Sequence, residues 1–154
     1  MNFREVLIPA TETKISTVSK EVSYIGDDNV YTFETEVQRP LDPRNEGHIT
    51  ITTPYWHVRK YPPLDKSNTC TSTCFDTIER SFEVDDNRAE IFYENMRPEC
   101  TAGNEKIIIT CDNGLNPLYP DTFDGFSITF YDADDVIIQL TNTMRLEASQ
   151  YTPK

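Results

Sequence analysis

The chain has 154 residues, a formal net charge of −12 and 37% hydrophobic residues, of which the eight Phe and eight Tyr supply much of the apolar area. That length holds one domain with a sizeable core, and the aromatic content argues against disorder throughout. The acidic balance excludes a nucleic-acid partner, which needs clustered Lys and Arg, and no run of about 18 apolar residues offers a membrane span.

The opening MNFREVLIPATET lacks the charged and long apolar regions of a signal peptide, so the chain reads as cytosolic or as a mature piece of a longer secreted product. Residues 1–13 read as an arm outside the domain. Their apolar patch of Val6, Leu7 and Ile8, ahead of Pro9, is suited to adding to the edge of a neighbouring subunit or module. The remainder, residues 14–154, reads as one domain.

Almost every periodic segment in it has period two. Lys14 to Ser23 is a Thr- and Val-rich strand with an irregular alternation, and Gly26-Asp27-Asp28-Asn29 is a turn. From Val30 to Gln38, Tyr31, Phe33, Thr35 and Val37 face one way against Thr32, Glu34 and Glu36, the pattern of a half-buried antiparallel strand. After a loop at 40–47, GHITITTP alternates Ile49 and Ile51 with His48, Thr50 and Thr52, then stops at Pro54. The aromatic group Tyr55, Trp56, His57 and Tyr61 follows.

Asp65 to Thr73 reads as a polar loop, and Phe75, Ile78 and residues 81–84 suggest a further strand or two. A second acidic turn at Asp85-Asp86-Asn87 leads into Ala89 to Tyr93. Lys106 to Cys111 (KIIITC), bounded by Gly103-Asn104 and Asn113-Gly114, is a buried central strand. Gly125 to Tyr131 and Val136 to Leu140 flank Asp132-Ala133-Asp134-Asp135 as a hairpin, and Met144 to Ala148 is a last strand or a short helical turn. About seven to nine short strands of this kind imply an all-β, immunoglobulin-like antiparallel sandwich. The Cys–Trp–Cys order of antibody domains is absent, because Trp56 precedes every cysteine.

Four cysteines in polar surroundings, Cys70, Cys74, Cys100 and Cys111, suit two disulfides in an oxidising compartment, extracellular or at a cell surface. Zinc is the rival, but the spacing lacks C-x2-C knuckles, and free thiols are the third reading. Of the three pairings open to four cysteines, a bridge across the tight Cys70–Cys74 loop is disfavoured by strain; the other pairings stay open.

The strand and turn residues resemble a recurring pattern in the very large repeat-built cell-surface proteins of ciliates. The resemblance lies in T-F-E-T-E-V from Thr32, Leu41, Gly47 with H-I-T-I-T-T-P, Ile107 to Ile109 with Asn116-Pro117, and F-S-I-T-F-Y-D-A-D-D-V-I-I from Phe126. It runs from about Val30 to about Leu140 and implies tandem extracellular sandwich modules with structural or adhesive roles and no catalysis. This chain departs from it in longer, more charged loops and in the segment before Lys14.

Two constellations could carry ligands. Tyr55, Trp56, His57 and Tyr61 offer flat faces to glycan rings, against the plainer expectation that Trp56 caps the open end of the core. The acidic turns, Asp27-Asp28, Asp85-Asp86 and Asp132-Asp134-Asp135, could supply oxygens to calcium if neighbouring loops converge; as isolated turns they are only solvated. No cofactor other than calcium is suggested. Catalysis finds little: His48 and His57 are the only histidines, and nucleophile elbows, zinc-protease motifs and phosphate-cradling glycine loops are absent. An acid-dependent hydrolase is the distant alternative. The sequence thus points to a non-enzymatic module that joins copies of itself or its neighbours into a fibre or coat, with a glycan-binding module as the alternative.

Overall fold

A computed structural model describes residues 17–20, 24–38, 40–41, 47–57, 70–75, 87–101 and 105–153. Val6, Leu7, Ile8, Tyr61, Asp85 and Asp86, and the arm at 1–13, lie outside them. The described residues form eight strands: β1 (Thr17–Lys20), β2 (Asp28–Val37), β3 (His48–Thr52), β4 (Cys70–Ser72), β5 (Arg88–Phe92), β6 (Glu105–Leu115), β7 (Thr122–Tyr131) and β8 (Ile137–Glu147). They pair antiparallel into two four-stranded sheets, in the orders β1-β2-β6-β4 and β5-β3-β7-β8. The first order is the A-B-E-D order of an immunoglobulin-like sandwich, and β3-β7-β8 is its C-F-G sheet with β5 added at the edge.

Alternation decides what is buried. In β2, Tyr31, Phe33, Thr35 and Val37 are inside, and Cys111, Ile109 and Ile107, the register partners of the first three, continue the row across β6. From the facing sheet Ile49, Ile51, Ile91, Ile128 and Phe130 close the core, all inaccessible to solvent. Burying side chains of this size stabilises by about 1.5–3 kcal/mol each. At one end Gln139 bridges the sheets, accepting from Gln38 N at 3.1 Å and donating to the Glu36 carbonyl at 2.6 Å.

Several sequence-based expectations need correction. Cys70 to Ser72, expected to be loop, is strand β4, because Cys70 sits directly opposite Cys111 and is bonded to it. The central run is not buried throughout: it is one strand of a two-layer sandwich, so Ile108 points outward and is 43% exposed. Asn113-Gly114 does not end that strand. Pairing with β2 continues to Asp28↔Leu115 past a bulge between Asn29 and Tyr31. Residues 144–147 carry no helical turn, since β8 runs on to Glu147, opposite Thr122.

Both disulfides lie on one side of the molecule. Cys70–Cys111 ties the edge strand β4 to β6, and Cys74–Cys100 ties the segment after β4 to the 3-10 turn at Pro98–Cys100. Arg97 reinforces the second tie, its side chain donating to the Thr73 carbonyl and its backbone N–H to the Cys74 carbonyl at 2.8 Å. No cysteine among the described residues is free.

Candidate functional site

The end of the sandwich where β2 starts and β6 stops is built around the segment after Pro54. That proline cannot extend the β3 ladder. Residues Tyr55–His57 form one 3-10 turn there, closed by the His57 N–H on the Pro54 carbonyl at 3.1 Å. A turn of about three residues sends successive side chains in three directions. Tyr55 points out and is 71% exposed, Trp56 is half-buried against the core, and His57 is wholly buried.

Tyr55, Trp56 and His57 therefore do not present one common face. His57 stands edge-on to Tyr31 at 4.3 Å and to Phe126 at 5.7 Å between ring centroids. Its Nδ1 lies 3.2 Å from the Leu115 carbonyl, which can only accept, so the proton sits on Nδ1. Burial pushes the imidazole down to about 4, with the Leu115 hydrogen bond opposing. Gly114 makes room for this ring: a Cβ there would fall 2.5 Å from His57 Cε1.

Beside His57, Asn116 gathers the buried polar groups of the end. Its Oδ1 accepts from the Tyr31 hydroxyl at 2.7 Å and from Asn29 at 3.2 Å, and its Nδ2 donates to the Tyr24 carbonyl at 2.7 Å. Burial raises the Tyr31 hydroxyl well above the ordinary tyrosine range, so it stays a donor. This network fixes the path of the chain as it leaves β6.

The segment so fixed carries residues the sequence reading passed over. Leu118 is 75% exposed and Tyr119 58% exposed. Leu118 lies over Gly26, whose φ of 67° puts the turn in the left-handed region. Tyr119 contacts Phe123 at 5.3 Å, Phe123 contacts Trp56 at 5.3 Å, and Trp56 contacts Phe126 at 6.0 Å. A continuous aromatic chain thus runs from the core through Trp56 and Phe123 to the solvent-facing Tyr119, next to the exposed Leu118. The signal was N-P-L-Y-P: apolar residues between two prolines cannot enter a strand ladder and end up on a loop.

The two acidic turns among the described residues do not converge. Asp27 and Asp28 open β2 at this end, whereas Asp132, Asp134 and Asp135 form the β7–β8 turn beyond Tyr131, near the other end of β2. Ten residues of β2 put about 30 Å between them at about 3.3 Å per residue. Asp132 Oδ1 is engaged by the Asp134 and Val136 N–H groups at 2.9 and 3.0 Å, a self-contained Asx turn. Among the described residues no three His, Cys, Asp or Glu side chains come close enough to share a cation. His48 sits on the outer face of β3, stacked on Tyr131 at 4.9 Å and edge-on to Phe92 at 5.7 Å. A shallow cleft of about 410 Å³ lies on the other sheet, between Thr71, Ser72, Thr73, Ile108 and Thr110. No helix among the described residues is long and apolar enough to cross a membrane.

No family model matches the chain, and no curated protein does either. Among solved structures it is similar to an uncharacterized protein from Nocardia farcinica with an immunoglobulin-like fold, at 16% identity, 79% of this chain and 80% of that one, and a TM-score of 0.36. It is also similar to a non-cellulosomal cohesin from the hyperthermophilic archaeon Archaeoglobus fulgidus, at 10% identity, 84% and 85% coverage, and a TM-score of 0.40.

Proposed function

We propose that this is an extracellular interaction module, a disulfide-bonded immunoglobulin-like sandwich that works by contact rather than catalysis and joins copies of itself or neighbouring modules into a fibre or coat. The observation that carries the reading is the exposed apolar pair Leu118 and Tyr119, of which Tyr119 stands at the end of a chain of aromatic contacts that reaches the core. Exposed apolar patches rimmed by polar residues mark interaction sites, and Tyr gives large contact area at small entropic cost. The two disulfides support an oxidising location. A modular, structural role is also what the sequence's resemblance to the repeat-built surface proteins of ciliates implies.

The test is electron microscopy and light scattering on the full chain and on a Leu118→Ser, Tyr119→Ser variant. Assembly into filaments or large particles by the native chain, lost in the variant, is the expected result. Equal assembly by both would remove the surface from the account. A chain that stays monomeric but whose Trp56 emission responds to glycans would favour the carbohydrate-binding alternative.

A further inference from the structure

An outer strand exposes backbone N–H and C=O groups, and folded chains guard such edges by shortness, charge or bulges. The outer strands among the described residues follow this rule. β1 is four residues long and ends on Lys20, β5 carries Arg88 and Glu90, and β8 pairs with β7 through register shifts. β4, three residues long, covers β6 at Cys70↔Cys111, Thr71↔Thr110 and Ser72↔Ile109. Behind this cover β6 has no guard of its own. Its register on β2 is unbroken from Glu105 to Cys111, and Ile107 to Cys111 carries no charge and no Pro and is rich in β-branched residues.

β4 is held mainly by its disulfide. Thr71 is exposed and Ser72 half-buried, so beyond Cys70 no apolar side chain anchors the strand. The ladder ends at Ser72, whose Oγ accepts from the Cys74 N–H at 3.1 Å as the chain turns away. Cys74 is fixed independently, by its bridge to Cys100 and by Arg97. We propose that β4 is a redox latch: reduction of Cys70–Cys111 lets residues 70–73 swing out on the Cys74–Cys100 hinge, and the bared edge of β6 pairs antiparallel with β6 of a second copy. Reduction takes two electrons from a dithiol. One thiolate attacks a sulfur of the bridge, and the second displaces it from the mixed disulfide. Cys70 and Cys111 are left as thiols, their protons supplied by the dithiol, which closes to a disulfide. A second copy fits this edge. Pairing centred on Ile108 sets Ile107 opposite Ile109, Ile108 opposite itself, Lys106 opposite Thr110 and Glu105 opposite Cys111, with no like charges opposed. This seam is a strand edge, shut in the disulfide-bonded chain, and does not rest on the reading of the aromatic end.

The experiment compares the full native chain with a latch variant, Cys70→Ser with Cys111→Ser, and a hinge variant, Cys74→Ser with Cys100→Ser. Amide exchange, Trp56 emission and light scattering are the readouts. At low concentration the latch variant should keep the native Trp56 emission, while the alternate amides of residues 109–111 that face β4 exchange at least about tenfold faster. At higher concentration it should dimerise and regain that protection, and the hinge variant should do neither. Ile108 faces solvent, so Ile108→Lys is tolerated by the fold. Added to the latch variant, it opposes two like charges at the centre of the pair and should weaken the dimer at least about fivefold. On the native chain, limited dithiol followed by alkylation should label Cys70 and Cys111 before Cys74 and Cys100, because a short edge strand frays before a segment held by Arg97. Unchanged exchange at residues 109–111, loss of the whole sandwich, or failure to dimerise in the latch variant overturns the proposal. So does a dimer indifferent to Ile108→Lys, the same dimer from the hinge variant, or first labelling at Cys74 and Cys100.

Discussion

His57 is the residue whose titration should govern stability in mild acid. It is wholly buried among Tyr31, Phe33, Trp56 and Phe126, and burial holds its imidazole at about 4 against an ordinary 6.5. Above pH 6.5 the ring is neutral whether the chain is folded or not, and the site costs nothing. Between 6.5 and about 4 the unfolded chain takes up a proton that the folded one refuses. Stability therefore falls as pH falls, by about 1.4 kcal/mol per pH unit, and levels off below about 4 after a loss of about 3 kcal/mol. Urea unfolding at pH 7.5, 5.5 and 4, followed by Trp56 fluorescence, measures this. The reference is His57→Gln, which lacks the titrating group; subtracting its pH profile removes the contribution of the carboxylates. The native chain should lose about 3 kcal/mol more than the variant across that window. Parallel profiles would refute the burial argument.

Other consequences can be checked on the same material. Non-reducing mass spectrometry should find no free thiol. Loop lengths of 41 and 26 residues give up to about 4 kcal/mol for Cys70–Cys111 and about 3.5 kcal/mol for Cys74–Cys100, less than their sum together because one loop encloses the other; alkylatable thiols in the native chain would contradict the pairing. Gly114→Ala drives a methyl into the His57 ring and should cost about 1–3 kcal/mol, seen as a lowered urea midpoint. Trp56→Ala, at a half-buried position, should cost about 2–3 kcal/mol, short of the 3–5 kcal/mol for a fully buried ring. Millimolar calcium should not raise the melting temperature by joining Asp27-Asp28 to the Asp132, Asp134 and Asp135 turn, because these two turns stand about 30 Å apart; a rise lost with Asp132→Asn and Asp134→Asn would contradict this.

Architecture was legible wherever one face of a strand is buried. Period two in Val30–Gln38 and in Gly47–Thr52 reports a two-layer sandwich directly, and the hairpin around Asp132–Asp135 follows from its turn residues. Strand ends were harder, because they depend on partners: Asn113-Gly114 looks like a stop, yet β2 carries pairing through it and Gly114 serves the His57 ring instead. β4 was invisible because three residues hold no period, and only its bridge to Cys111 places it. The surface was half legible. Trp56 and Tyr55 announce themselves after Pro54, but the inward turn of His57 and the arrival of Leu118, Tyr119 and Phe123 beside them are long-range contacts that no local pattern encodes.

Amide hydrogen exchange, compared between dispersed chain and the assembled or partner-bound form, tests the central claim most directly. New protection confined to residues 24–28, 54–57 and 116–124 is the predicted result. Protection concentrated on the β4–β6 face around Thr71, Ile108 and Thr110, with the aromatic end exchanging as before, would contradict it.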